Sequence, residues 1–469
     1  MSTAPSTPSA ETPPSTPPEW WAGPQKIAAG AAAIGFVVFA VVGGINFTSG
    51  HGKRDLLTAF LSGWVFWLSL PIGGMALLMI HYLAKTSWGV LLKRPIESAT
   101  RTFPLMVALF IPFAALALLA GEESPYWWVA PEHTPTTHDE HGSTSHNADH
   151  DHAKDGHDHA HESPEDAKWK ERVKMSQAQL KKVVEDEIHA RAVGTYSFLS
   201  PPVFIAASVV YFLIWGTLIY FLNKWGQDAE SDASKVESSL ERLKNISGPG
   251  LIIYAITFTA AISQWVMSLE PGWSSTMFPV IAAVNQFLTC FAFSVALFLG
   301  LVTRSPFKDV MRPKFQLDMG TLMLAFTLFW SYTSFSQLLI IWIGNLPEEI
   351  PFYLRRSNDT GWWYVSAGLI VFHFAVPFLL LLFRDIKLHV VRLRIMAIYL
   401  LVVCAVDVTW WIEPTFTHSS PLFVLMDIGS IVGIGGVWGL LFLNQLKKRS
   451  LLPMNETYQL PEGHSHEHH

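Results

Sequence analysis

Ten long apolar stretches separated by short polar segments make up most of this chain, at 25–45, 57–83, 102–121, 201–222, 249–269, 274–302, 318–343, 361–383, 395–412 and 421–446. Each is about twenty residues or more, enough to cross a hydrocarbon core of ~30 Å as a helix. Isolated strands are excluded because their backbone groups would go unpaired in lipid. The pattern therefore predicts an all-α integral membrane protein with ten transmembrane helices.

Several of these stretches carry an ionisable or amide side chain well inside the apolar run. A charge at bilayer depth costs at least ~2.5 kcal/mol, so such residues line polar paths or cavities. Asp407 lies seven residues before Pro414 at the end of span nine, and Asp427 six residues after Pro421 at the start of span ten. At the helical rise each is ~10 Å below that surface, so antiparallel neighbours would place both acids at one depth. A carboxyl pair sharing a proton is one reading, and two separate structural hydrogen-bond acceptors is the other. His373 lies near the middle of span eight, and Pro377, four residues on, cannot donate to its carbonyl. The imidazole passes protons, binds a polar head group or simply packs.

Span seven carries Thr327, Ser331, Ser334 and Gln337 on one helix face, with Tyr332 and Ser336 on an adjacent strip. The two readings are a water-holding proton ladder and polar glue between helices. Thr257, Gln264 and Ser268 repeat the pattern in span five, which ends at Glu270, a candidate mouth for an outward half-path. Asp318 is placed as an N-cap. Prolines 71, 112 and 279 free the carbonyls of Trp67, Ala108 and Ser275, so these spans and span eight are expected to kink.

Charge sets the direction. Lys and Arg concentrate in the loops after spans two, four, six and eight and in Lys447, Lys448 and Arg449, which puts both termini in the cytoplasm. Trp362 with Trp363, and Trp410 with Trp411, suit an interfacial belt on the outer side. The divisions are a disordered cytoplasmic tail (1–24), spans one to three (25–121), a periplasmic insertion (122–200), spans four to ten (201–446) and a cytoplasmic tail (447–469). The insertion opens with Tyr126, Trp127 and Trp128, passes through a His-rich tract at 133–161 and becomes a charged helical segment at 168–191. Irregular spacing makes the tract a mobile one whose metal binding is adventitious or buffering, and the tail histidines 464, 466, 468 and 469 read the same way. The 1–19 segment lacks a signal-peptide pattern, which makes the first span a retained anchor. Its Ala29–Ala33 run, Gly35, Gly43 and Gly44 suit close helix packing.

Composition removes other classes. A net charge of -6 over 469 residues gives no footprint for nucleic acid. Cys290 and Cys404 stand apart within apolar stretches, which leaves iron–sulfur ligation, c-type haem and a disulfide framework unsupported. His81 and His389 sit at span ends, away from His373, which argues against b-type haem.

Two passages carry a resemblance: SQWVMSLEPGWSSTMF at 263–278 and DMGTLMLAFTLFWSYTSFSQLLIIWIGNLPEEIPFYLRR at 318–356. With the ten-span layout, they resemble the NrfD-like (polysulfide-reductase-type) membrane subunits of alternative complex III, the bacterial quinol:cytochrome c oxidoreductase, of ActF type. The resemblance implies a subunit of the bacterial cytoplasmic (inner) membrane with no covalently bound cofactor. Its expected partners are a sister NrfD-like subunit, a multihaem cytochrome c, an iron–sulfur subunit, a monohaem cytochrome c and small membrane subunits. Haem and iron–sulfur clusters belong to those partners, quinol oxidation is expected in the sister subunit, and quinone binding here is implied by kinship alone. Spans two to five and six to nine would form two four-helix bundles, with spans one and ten outside.

Three functions compete. The first is a subunit of a quinol-oxidising complex that routes protons past Asp407, Asp427, His373, Glu270 and span seven. The second is a scaffold without transport. The third, an ion or metal transporter fed by the His-rich loop, lacks repeated ligand pairs within the spans.

Overall fold

The computed structural model describes residues 22–48, 52–84, 86–129, 198–270, 273–302, 311–346, 349–357, 361–416 and 422–449. The His-rich tract, the 168–191 segment and residues 1–21 and 450–469 of the terminal tails lie outside them. Among the described residues there are ten helices long and apolar enough to cross a membrane. They form a polytopic helical membrane protein.

The helices are α1 (Ala22–Phe47), α2 (Gly52–Ala84), α3 (Ser87–Thr100), α4 (Phe103–Leu119), α5 (Pro201–Ser231), α6 (Val236–Trp265), α7 (Phe278–Leu301), α8 (Pro313–Gly344) and α9 (Pro351–Ser357). The chain continues through α10 (Trp362–Leu382), α11 (Arg384–Leu388), α12 (Val390–Ile412) and α13 (Phe423–Leu446). Gln25 Nε2 donates to Asn444 Oδ1 at 3.2 Å, so the start of α1 and the end of α13 lie on one face of the bundle. We call this the tail face, and the opposite end, which bears 121–129, the insert face.

As expected, α2, α4, α5 and α6 pack as one four-helix bundle and α7, α8, α10 and α12 as a second, while α1 lies on α13 and α13 on α2. Helix α2 is the spine, in contact with both bundles. The small residues of α1 serve the close approach foreseen for them: a Cβ on Gly35 would overlap the backbone of Gly433, and one on Gly436 the backbone of Ala32.

Local signals fare differently. Pro377 does disturb span eight, where 369–375 is a seven-residue π-helical turn, and the Tyr399 hydroxyl donates to the Phe372 carbonyl within it at 2.6 Å. Pro279 does not kink span six. It occupies the first turn of α7, where its missing N–H has no helical partner to lose. Asp318 is no cap either, because α8 begins at Pro313 and encloses it. Trp363 is exposed as an interfacial anchor should be, whereas Trp411 is buried and Trp410 turns inward, its Nε1 donating to Ser366 Oγ at 2.8 Å.

Helix α3 was hidden from the hydropathy pattern by its charges. It is almost wholly buried against α2, α7, α13 and α8, closing the tail face of the molecule. Lys93, Arg94 and Glu97 are tolerated there because they meet one another and Glu230 of α5.

Candidate functional site

Asp407 is the centre of the second bundle. It is 1% exposed, and its Oδ2 accepts from Asn285 Nδ2 of α7 and from Trp330 Nε1 of α8, both at 2.8 Å. The π turn brings His373, itself fully buried, to the same oxygen: its Nδ1 lies 3.8 Å from Oδ2, beyond direct hydrogen-bond range. The imidazole stacks on Trp330 with ring centroids 3.7 Å apart, and its Nε2 faces Cys404 Sγ at 3.8 Å. Thr289, one turn below Asn285, donates to the Asn285 side-chain and backbone oxygens. Four helices thus converge on one carboxyl, two of them by direct donors. A small ring movement at the π turn would close the remaining gap and let a proton pass between Asp407 and His373.

Asp427 does not face Asp407. Among the described residues no hydrogen bond or ion pair joins them, because α13 packs on α1 and α2 while α12 packs on α7. Neighbours in sequence need not be neighbours in space. Asp427 instead lies near Glu413 and Asp55, and neither of its carboxyl oxygens has a hydrogen-bond partner among the described residues. Thr58 and Ser62 of α2 donate to Glu413 at 3.4 and 3.2 Å. All three acids are at most 4% exposed.

Glu270 is not an open mouth. It is buried between Arg355 Nε at 3.2 Å and Arg356 at 3.8 Å, and accepts from Thr415 Oγ1 at 2.8 Å. Arg356 is 1% exposed and also donates to the carbonyls of Phe352, Trp410 and Trp411. Burial pushes its guanidinium down to about 9, with Glu270 opposing, so it stays charged at neutral pH. The arginine ties α9 to the end of α12 and seals the insert face above Asp407.

The span-seven ladder is interrupted. Thr327 donates back to Met323 O at 2.9 Å, and Tyr332, 68% exposed, points out of the bundle. Ser331 is half-buried, and Ser334 Oγ is buried with no hydrogen-bond partner among the described residues. Gln337 alone joins other elements: Ser275 Oγ donates to its Oε1 at 2.9 Å, and its Nε2 donates to Tyr353 OH at 3.1 Å. Burial pushes the Tyr353 phenol up to about 12, which keeps it neutral. Gln337 also lines a cavity of about 400 Å³ with Thr259, Ser263, Ser275, Ile340 and Glu349, a size suited to a small ligand.

Sequence reasoning missed Trp330, Asn285, Glu413 and Asp55. Trp330 lies within the ladder segment but reads as an aromatic core residue, and Asn285 is a lone amide in an apolar run. Glu413 and Asp55 sit at span ends, where acids are ordinarily solvated. The span-five residues are structural: Trp215 donates to Thr257, Tyr211 to Gln264 and Trp128 to Ser268. No protein-family model matches the chain, and no curated protein matches it.

Proposed function

We propose that this chain is a membrane subunit of a bacterial quinol-oxidising complex of the alternative complex III type, and that its second bundle carries protons through Asp407 and His373. The single observation behind this reading is the fully buried carboxyl of Asp407 with Asn285, Trp330 and His373 around it. Ionisable groups survive at that depth only in polar company, and they mark ion or proton paths. Quinol oxidation releases protons, and moving each across the membrane is worth ~2.3 kcal/mol per 100 mV. The Asp427–Glu413–Asp55 cluster would serve as a second relay at the insert face. Haem and iron–sulfur centres would reside in the partner subunits, in the bacterial inner membrane, with both termini cytoplasmic. A quinone, if one is held here, has the cavity beside Gln337 to enter.

The test is purification of the chain with whatever it binds, followed by turnover and proton release of that assembly with Asp407→Asn. Copurifying multihaem cytochrome with iron–sulfur protein, together with proton release lowered in the variant, is the expected result. Absence of both partners would end the complex assignment. Unchanged proton release would leave the scaffold reading, which the back-bonded hydroxyl of Thr327 favours.

A further inference from the structure

Span eight buries Leu369, His373, Pro377 and Leu381, a strict repeat of four residues. In a purely α-helical span each such step drifts by about 40°, so the first and last of them would lie about 120° apart around the axis. The π turn takes more residues per revolution and offsets that drift. It therefore decides whether His373 shares the buried face.

The register has an identifiable cause. Within the turn the Val376 N–H donates to the Val371 carbonyl, five residues back. The next rung of that ladder would join residue 377 to the Phe372 carbonyl, and Pro377 has no N–H to give. That carbonyl is left without a rung in mid-span, where lipid offers no donor. Tyr399 of α12 takes the place of the missing N–H, its hydroxyl donating to Phe372 O at 2.6 Å. In the α register the Val376 N–H would serve Phe372 instead, and the hydroxyl would add little. A side-chain donor at this one carbonyl therefore favours the π form.

Helix α12 meets the turn at two further points, with Cys404 Sγ 3.8 Å from His373 Nε2 and Asp407 Oδ2 3.8 Å from His373 Nδ1. We propose that Tyr399 is a positioning residue: by supplying the donor that Pro377 lacks, it holds span eight in the π register and His373 beside Asp407. Its effect on proton release rests on the relay proposed above, whereas its hold on the turn does not.

The test is a double-mutant cycle on the full chain in detergent, read by hydrogen–deuterium exchange of peptides covering 369–376. Tyr399→Phe should speed their exchange by about tenfold, as loss of one buried hydrogen bond would. Tyr364→Phe, 78% exposed on the same span, should leave it unchanged. Pro377→Ala gives residue 377 an N–H, so the Phe372 carbonyl has a backbone donor in either register, and in that background Tyr399→Phe should alter exchange by less than about twofold. Equal acceleration in both backgrounds, or none in either, overturns the hold on the turn. Should Tyr399→Phe alone fail to fold, adding Pro377→Ala should restore folding, and failure of the double variant overturns it too.

Proton release by the assembly tests the consequence separately. Tyr399→Phe should lower it and move its pH midpoint, because His373 no longer faces Asp407. A fall by one factor at every pH, as mere loss of folded protein gives, or no fall where Asp407→Asn gives one, overturns the positioning role. If exchange rises as expected and neither variant alters proton release, the relay is overturned and the hold of Tyr399 on the turn stands.

Discussion

The two four-helix bundles share an architecture and fill it with opposite chemistry. In the first, the centre is aromatic: Trp64, Phe110, Phe212, Trp215 and Trp265 come from all four helices and touch ring to ring at 5.0–6.3 Å. Every polar atom these rings bring is spent locally, with Trp64 Nε1 on Met106 O, Trp265 Nε1 on Ser208 and Trp215 Nε1 on Thr257. In the second, an indole N–H is spent on a carboxyl, and the ring beside it is an imidazole. A membrane protein gains little from burying apolar groups that lipid would solvate equally well, so shape and hydrogen bonding carry its packing. The first bundle uses both to be rigid. The second gives up some of that to hold Asp407 and His373 in lipid.

That contrast is broken most directly at Trp265. Removing a ring that contacts five others leaves a large cavity, and Trp265→Ala should lower stability by roughly 3–5 kcal/mol, read by denaturant unfolding in detergent micelles. A loss under about 1 kcal/mol would mean that lipid or detergent enters the gap and that the bundle is no rigid frame.

The second bundle separates stability from chemistry. Asp407→Ala strands the donors of Asn285 and Trp330 and should destabilise by roughly 2–3 kcal/mol. Asp407→Asn keeps an acceptor oxygen, so its stability loss should stay within about 1 kcal/mol while proton release by the assembly falls. If both variants unfold alike, the carboxyl is structural and the contrast between the bundles disappears.

How much of this was legible depended on whether a feature was local. The ten spans, the π turn at Pro377 and the tight α1 contact follow from hydropathy, one proline and a run of small residues, all properties of a single segment. Asp407 and His373 stood out because ionisable groups in apolar runs are rare. Their companions did not, since which helices touch is a tertiary fact: Asp427 found Glu413 and Asp55 because α13 docks on α2, and nothing in its own segment says so. Helix α3 was misread for a related reason. Its charges suggested a solvated loop, and the docking of Glu230 and Arg449 helps to make their burial tolerable.

A smaller effect tests the first bundle's hydroxyls. Thr257→Val removes the acceptor of Trp215 Nε1 and should cost about 1 kcal/mol in the same unfolding measurement, with no change in proton release. Lowered proton release at unchanged stability would place chemistry in the bundle that is read here as frame.

The smallest effect is expected where sequence periodicity promised most, on the span-seven face. Thr327 is fully buried, but its hydroxyl is committed to the Met323 carbonyl of its own helix, and Tyr332 lies on the outer surface. A hydroxyl bound back to its own helix offers no onward donor while that bond lasts, and an outward phenol has no neighbour in the bundle to receive a proton. Thr327→Val is nearly isosteric, and the Met323 carbonyl keeps its helical N–H partner, so stability should move by no more than about 0.5 kcal/mol. Tyr332→Phe should be neutral by the same measure. With Asp407→Asn as the positive control, proton release should match the unmodified chain in both. A fall in the Thr327 variant would mean that the hydroxyl rotates away from Met323 during turnover, and the path would then extend along α8 beyond Asp407 and His373.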